Sequence, residues 1–91
     1  MTLKIAFQMD PMESVNIDGD TTFALAEVAQ ARGMTLYEYG PEHLAYNAGK
    51  IEAFARPMTV RREKGNHVTF GERTLINLET EIDVIWMRQD P

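Results

Sequence analysis

The chain has 91 residues, which is enough for one small domain with a single core and too few for two. An apolar fraction of 44% excludes a disordered tail, and a formal net charge of −5 argues against non-specific binding to nucleic acid or to an anionic membrane. The absence of cysteine excludes a disulfide framework, a thiolate nucleophile and a cysteine-based zinc site. Neither a secretion signal nor a membrane span is evident, and we therefore expect a cytoplasmic domain.

The first predicted element is a strand at residues 3–9, where apolar side chains alternate with other residues and predict one well-buried face. Pro11 lacks an N–H and pushes Asp10 towards extended geometry, so the strand should end at this Asp-Pro pair. Residues 12–19 are rich in turn-forming residues and predict a loop.

A helix and a second strand are predicted after this loop. Asp20 is expected to cap a helix from about Thr21 to Arg32, and Gly33 stands where a left-handed residue commonly ends a helix. Residues 34–39 contain β-branched and aromatic side chains and predict a strand. The order strand, helix, strand predicts a βαβ unit with parallel strands and a right-handed crossover. One side of the helix is expected to carry Leu25, Val28, Ala29 and the aliphatic stem of Arg32.

The second half of the chain predicts antiparallel structure followed by one more buried strand. Residues 40–49 predict a helical turn that starts at a proline and is closed by an Asn-Ala-Gly turn. Two alternating runs, 50–62 and 67–78, flank a Gly-Asn turn and predict a β-hairpin, in which Pro57 marks a sheet edge or a bulge. Residues 82–87 include four consecutive apolar residues, which is typical of a strand covered on both faces. The predicted fold class is therefore α/β, a small mostly parallel sheet with flanking helices and an antiparallel hairpin.

A candidate site lies where the predicted parallel strands end. If strands 3–9 and 82–87 are neighbours, Asp10 and Asp90 emerge at the same edge of the sheet, the edge at which open α/β sheets bind ligands. Arg88 would supply a planar guanidinium suited to gripping a carboxylate at two points. The amides at the start of the helix favour an anionic group. Acidic residues of the neighbouring loop favour an amine or a metal ion instead; they are Asp10, Glu13, Asp18 and Asp20.

Each of these residues also has a purely structural interpretation, which the residues alone leave open. Asp10 and Asp90 could simply terminate strands. Asn16 could close an Asx turn, and Arg88 could pair with a surface carboxylate. Asp20 is expected to serve mainly as the cap of the helix.

Other polar residues give weaker indications of a site. His43 and His67 lack the spacing of metal ligands and are expected to be structural or exposed. The glycines fit neither a phosphate loop nor a dinucleotide fingerprint. A basic cluster on the hairpin predicts a solvated face or, less readily, a subunit contact; it consists of Arg56, Arg61, Arg62 and Lys64.

Two stretches of the sequence carry a resemblance to a known family. "MDPMESVNIDGDTTFALAEVAQARG" (9–33) is similar to the N-terminal segment of bacterial glutathione synthetases, in which a strand ends in Met-Asp-Pro and an Asn-Ile pair follows. In that family an Asp-Ser/Thr-Ser/Thr-Phe element then opens a helix that ends in Arg-Gly. "DVIWMRQDP" (83–91) resembles the second signature of the family, Asp-Val-Ile-x-Met-Arg-x-Asp-Pro. The order and separation of the two signatures also fit, so the resemblance covers essentially the whole chain.

The resemblance implies that residues 1–91 are a pre-ATP-grasp, Rossmann-like domain, the N-terminal substrate domain of an ATP-dependent carboxylate–amine ligase. Such enzymes phosphorylate the C-terminal carboxylate of γ-glutamylcysteine with ATP, and the amine of glycine then attacks the acyl phosphate. Arg88 would anchor a carboxylate of the substrate. Carried over position by position, the implied substrate-binding set is Arg88, Asp10, Asn16 and Asp90, with Asp20 and Pro11 as structural support of the site.

The resemblance also implies what would lie outside the chain. ATP and Mg²⁺ would bind in an ATP-grasp module that follows, so no catalytic or metal-binding residue is expected here. The parent enzyme would be a homo-oligomer without nucleic-acid or membrane partners. The second signature of the family continues with Pro-Phe-Asp, and we therefore expect that the chain is truncated after Pro91 and has no ligase activity alone.

Two functions of other classes remain open at this point. One is a non-catalytic module that binds small peptides or amino acids in the same crevice. The other is an assembly domain whose subunit contacts run through the hairpin and the helix. A phosphoacceptor receiver is disfavoured, because no lysine stands at the end of residues 82–87.

Overall fold

The computed structural model describes residues 3–88, which form a seven-stranded mixed sheet and one α-helix. The α/β fold class is confirmed. The sequence of elements along the chain is β1 (Lys4–Gln8), α1 (Thr21–Ala31), β2 (Thr35–Tyr39), β3 (Leu44–Asn47), β4 (Lys50–Val60), β5 (Val68–Phe70), β6 (Thr74–Asn77) and β7 (Val84–Met87). Short 3₁₀ turns occupy Met12–Ser14 and Pro41–His43.

Strand β1 lies between two parallel neighbours, β2 and β7. Phe7 stands opposite Glu38 on one side and opposite Trp86 on the other. The predicted βαβ unit is confirmed, as is the parallel pairing of the first strand with the last. This register brings the carboxyl ends of β1 and β7 to the same edge of the sheet.

Helix α1 begins and ends as the sequence predicts, but its buried face differs. Asp20 is the N-cap and Gly33, with φ of 82°, follows the last turn. The prediction for Val28 is wrong: its side chain is half exposed. The residues buried against the sheet are Thr22, Phe23, Ala26 and Ala29. Phe23 carries the largest apolar area in the helix and is fully buried, so it sets the rotation of the helix, and the small alanines let the helix approach the sheet closely.

The sheet contains more antiparallel pairing than the sequence predicts. β4 is eleven residues long and pairs antiparallel with four strands, β3 and β6 along its first half and β2 and β5 along its second. The predicted hairpin is therefore confirmed, but the sheet of residues 3–88 is mixed rather than mostly parallel. These residues also form one α-helix where flanking helices were expected.

Pro57 lies opposite a bulge in the second arm of the hairpin. Met58 pairs with Phe70 and Ala55 pairs with Thr74, so the residues 71–73 stand opposite only Arg56 and Pro57. A side chain on Gly71 would place its Cβ only 2.6 Å from Cγ of Pro57. The prediction of a bulge at this proline is confirmed, and the bulge splits the arm into β5 and β6.

The core consists of two apolar clusters, one on each face of the sheet. The first lies beneath α1 and contains Ile5, Phe7, Met12, Phe23 and Leu36 among others. The second lies on the opposite face and contains Ala6, Tyr39, Ala53, Ala55, Ile76, Leu78 and Ile82. β1 is therefore buried on both faces at its centre, where one buried face was predicted.

Strand β7 is exposed, contrary to the prediction that both of its faces are covered. Its four side chains are between 39% and 56% exposed. β7 lies at one edge of the sheet, and both apolar clusters are built from residues of other elements. The apolar run is correctly identified as a strand, but nothing within residues 3–88 buries it.

Within the same residues, no helix has the length and apolar character needed to cross a membrane.

Candidate functional site

A polar cleft of about 320 Å³ opens at the carboxyl ends of β1 and β7. It is bounded by the loop that follows β1, by the start of α1 and by the residue that follows β7. Its lining residues are Asp10, Ser14, Val15, Asn16, Gly19, Asp20 and Arg88. The structure thus brings together four of the predicted residues, Asp10, Asn16, Asp20 and Arg88. Asp90 lies outside the described residues.

The parallel pairing of β1 and β7 places Asp10 and Arg88 at this cleft. Gln8 stands opposite Met87 in the β1–β7 register, and the N–H of Arg88 donates to the carbonyl of Gln8 at 2.9 Å. Arg88 is the first residue after β7 and Asp10 the second after β1, so both leave the sheet at the same edge. Residues far apart in sequence meet here because both strands run in the same direction.

Asp20 joins the start of the helix to Arg88. Its Oδ1 accepts the N–H of Phe23 at 2.9 Å, which is the hydrogen bond of an N-cap. Its Oδ2 lies 2.6 Å from Nη1 of Arg88, and the Asp20 side chain is only 8% exposed. The ion pair that the sequence left open for Arg88 is present, but the partner is a carboxylate inside the cleft rather than one on the outer surface.

Two further residues shape the loop beside the cleft. The carbonyl of Pro11 accepts the N–H of Ser14 at 3.0 Å and its hydroxyl at 2.7 Å, which closes the 3₁₀ turn. Oδ1 of Asn16 accepts the N–H of Asp18 at 3.1 Å, so the Asx turn that the sequence suggested for Asn16 is present. Asn16 is exposed and lines the cleft at the same time.

Cations from the hairpin hold this loop from its other side. Lys64 lies 2.7 Å from Asp18, and this carboxylate raises the pKa of the Lys64 ammonium. Nη1 of Arg62 donates to the carbonyl of Ile17 at 2.9 Å, and its Nη2 pairs with Glu27 on the helix. Lys64 and Arg62 are exposed, as predicted for the basic cluster, but the prediction is wrong for Arg56, whose side chain is only 19% exposed. Lys64 and Arg62 are nevertheless partners of residues in the loop and the helix.

The two histidines have structural roles. His67 is buried, its Nε2 is 2.7 Å from the carbonyl of Met12, and its ring meets Phe23 edge-on. Because the carbonyl can only accept, Nε2 carries the proton. Nδ1 of His43 accepts the N–H of Gly40 at 3.0 Å. The prediction that both histidines are structural or exposed is confirmed.

Sequence reasoning missed Glu38, which is a buried carboxylate in β2. Its side chain is 3% exposed and lies 3.0 Å from Nε of Arg56. The signal in the sequence is weak: a single charge among the apolar and aromatic residues of a strand. Arg56 stands opposite it only in the antiparallel register of β2 and β4, and that register is not evident before the strand order is known.

The cleft combines groups of both charges. Its guanidinium and the N–H groups at the start of α1 suit a carboxylate, while the carboxylates suit an ammonium group. Such a set is suited to a small zwitterionic ligand. Among residues 3–88, no group of three or more His, Asp or Glu side chains is arranged to hold a metal ion.

Comparison with known proteins decides the family. The family model for the N-terminal domain of prokaryotic glutathione synthetase matches residues 3–91. The chain belongs to this family. The resemblance carried by the two signatures is thereby confirmed.

Several glutathione synthetases are similar to the chain over almost all of its length. The protein from Brucella melitensis is 50% identical and that from Mesorhizobium japonicum 48% identical, each over the whole chain and 29% of the relative. The protein from Yersinia pestis is 37% identical over 98% of the chain and 28% of its own length. The chain therefore spans less than a third of the length of these glutathione synthetases.

Proposed function

We propose that residues 1–91 are the substrate-binding N-terminal domain of a cytoplasmic ATP-dependent ligase that joins γ-glutamylcysteine to glycine. The observation that carries this proposal is the mixed-charge cleft at the ends of β1 and β7, found in a chain of the glutathione synthetase N-terminal family. The ends of parallel strands are where α/β sheets bind ligands. The cleft is small, as a dipeptide site should be.

In this proposal Arg88 binds a carboxylate of γ-glutamylcysteine. A guanidinium presents five N–H donors in a planar fork, which matches the two oxygens of a carboxylate. Its ion pair with Asp20 fixes where the guanidinium lies before the substrate arrives. Asp10, Asn16 and Asp90 would shape the same crevice, and γ-glutamylcysteine offers an ammonium group and amides for them to contact.

The chemical step would take place beside this cleft and would use groups from outside the chain. When bound, ATP would supply the phosphoryl group and Mg²⁺ would offset its charge. The residues that would hold both groups are assigned to parts of the parent enzyme outside residues 1–91. Residues in this chain would bind and orient the dipeptide, and we expect no ligase activity from the 91 residues alone.

The proposal can be tested by titrating the ¹⁵N-labelled chain with γ-glutamylcysteine in the absence of ATP. We expect chemical-shift changes at Asp10, Asn16 and Arg88, and a weaker affinity in Arg88→Lys, which keeps the charge but loses the fork. Arg61→Lys is the matched control, because Arg61 pairs with Glu63 on the hairpin and does not line the cleft. A diamide of the same peptide, lacking both carboxylates, should bind poorly. Shift changes elsewhere, or equal affinity in Arg88→Lys, would contradict the assignment.

A second candidate function is assembly with another copy of the chain or of the parent enzyme. The exposed apolar side chains of β7 favour a contact with further polypeptide. The hairpin supports this function less well, because Arg61 and Arg62 already pair within the chain. Changing both arginines to glutamate should weaken a hairpin-mediated dimer, and sedimentation analysis would measure the effect.

A further inference from the structure

We propose that Glu38 and Arg56 are positioning residues, which hold the loop of residues 10–20 in the shape that the cleft requires. The consequence for ligand binding rests on the function proposed above, whereas the consequence for the loop does not. Neither residue lines the cleft; Glu38 contacts the loop at Met12 and Arg56 contacts it at Glu13.

Glu38 reaches the loop from inside the core. Its Oε2 accepts the N–H of Met12 at 2.7 Å, in a buried hydrogen bond between the middle of the sheet and the first turn of the loop. Met12 itself is fully buried, so its N–H has no access to solvent. Its hydrogen-bonding requirement is met by a carboxylate that lies 26 residues further along the chain.

Arg56 extends the contact to the next residue of the loop. Its Nε and Nη2 lie 3.0 and 3.1 Å from the two oxygens of Glu38. The same Nη2 lies 2.9 and 3.2 Å from the two oxygens of Glu13. The guanidinium is also stacked 3.4 Å from the ring centroid of Phe70. One arginine thus joins a buried carboxylate in the sheet to a carboxylate in the loop.

The guanidinium of Arg56 is stabilised in its charged form by this network. Burial alone would lower the pKa of Arg56, but hydrogen bonds with Glu38 and Glu13 outweigh this effect and raise the pKa above its usual value. Arg73 adds a second cation, with its Nη2 3.9 Å from Glu38. The buried carboxylate therefore faces two guanidinium groups.

The residues at which the network ends indicate that it positions the loop rather than merely filling the core. An apolar pair of similar volume would fill the same space without desolvating two charges. The network does not end within the core, however, since it ends on Met12 and Glu13, two consecutive residues of the loop. These follow Asp10 closely and precede Asn16, so the two predicted ligand contacts flank the segment that is held in place.

Amide hydrogen exchange in the 91-residue chain tests this inference without a ligand. In Arg56→Lys we expect the amides of residues 12–18 to exchange about tenfold faster, the factor expected when a charge-assisted hydrogen bond is weakened, with those of β1 and α1 changing far less. Glu63→Gln is the matched control, because it removes an exposed carboxylate that pairs with Arg61 on the same hairpin. A residue that only stabilises the fold would accelerate all amides together, and that result would overturn the proposal.

Two further measurements complete the test. If Arg56→Lys does not fold, Glu13→Gln removes only the outer contact and should accelerate the loop amides about threefold. Unchanged exchange in Glu13→Gln would then refute the positioning role. Arg56→Lys, or Glu13→Gln in its place, should also weaken the binding of γ-glutamylcysteine. If the unaltered chain does not bind the dipeptide, the proposed function fails, but the exchange data still decide whether these residues position the loop.

Discussion

Replacing Asp20 by alanine removes two contacts at once, and we expect the change to destabilise the chain by about 2 kcal/mol. Oδ1 of Asp20 caps α1 through the N–H of Phe23, and loss of such a cap costs about 1 kcal/mol. Oδ2 pairs with Arg88 in a partly buried position. Exposed pairs contribute about 0.2–1 kcal/mol and breaking a buried one costs about 3–5 kcal/mol, so we take about 1 kcal/mol for this pair.

The substitution Asp20→Asn separates the two contributions. Asparagine is as good an N-cap as aspartate, so this variant should keep the cap, lose only the ion pair and cost about 1 kcal/mol. Arg88→Gln removes the same pair from the other side. A double-mutant cycle of Asp20→Asn with Arg88→Gln should therefore give a coupling energy of about 1 kcal/mol.

Urea unfolding, followed by circular dichroism and by the fluorescence of Trp86, measures these changes. For a chain of this size a slope of about 1 kcal/mol per molar urea predicts midpoint shifts of about 2 M for Asp20→Ala and about 1 M for Asp20→Asn. Asp18→Ala is the control, since the pair of Asp18 with Lys64 is solvent-exposed and should contribute little. Equal effects of Asp20→Ala and Asp20→Asn would refute the role of the cap. A coupling energy near zero would refute the contribution of the ion pair.

Three other perturbations have expected outcomes. Burial raises the pKa of Tyr39 above its unfolded value of about 10. The stability contributed by the neutral phenol is therefore complete below about pH 10 and is lost as the pH rises towards the folded pKa. In alkaline urea titrations, Tyr39→Phe should show a smaller loss of stability with pH than the unaltered chain. The chain should self-associate through β7, and light scattering should show that Ile85→Lys reduces this whereas Val28→Lys, an equally exposed change on α1, does not. Gly71→Ala should lower the thermal midpoint by several degrees, because its methyl group would meet Pro57 at 2.6 Å, and an unchanged midpoint would contradict this packing.

The sequence predicts the first βαβ unit well because its signals are local. The cap at Asp20, the left-handed Gly33 and the alternation before Pro11 each specify a boundary through neighbouring residues. The strand order beyond this unit is not local. β4 pairs with four strands, and no short stretch of sequence records that choice. The apolar run of β7 predicts a strand, but burial depends on what packs against it, so its exposure could not be read from the run itself.

The membership of the cleft could be predicted to a large extent, but the contacts within it could not. Asp10 and Arg88 follow strands whose parallel pairing is expected from the fold class, so their proximity follows from topology. The partner of Arg88 depends on side-chain geometry at the start of α1, which the sequence leaves open. The role of Glu38 could not be predicted, because a buried charge in a strand is recognisable only when its counter-ion in the neighbouring strand is known.

These contacts change the interpretation of the acidic loop. From the sequence, a run of carboxylates beside the helix favours an amine or a metal ion. In the structure each of three loop carboxylates pairs with a cation from a different part of the chain: Glu13 with Arg56, Asp18 with Lys64 and Asp20 with Arg88. Much of the negative charge is thus already balanced, and repulsion within the loop is relieved. Of these three pairs only Asp20 and Arg88 line the cleft, and a ligand that brings one charge of each sign can exchange contacts with that pair without leaving a net charge unpaired, which favours a zwitterionic peptide over a bare cation.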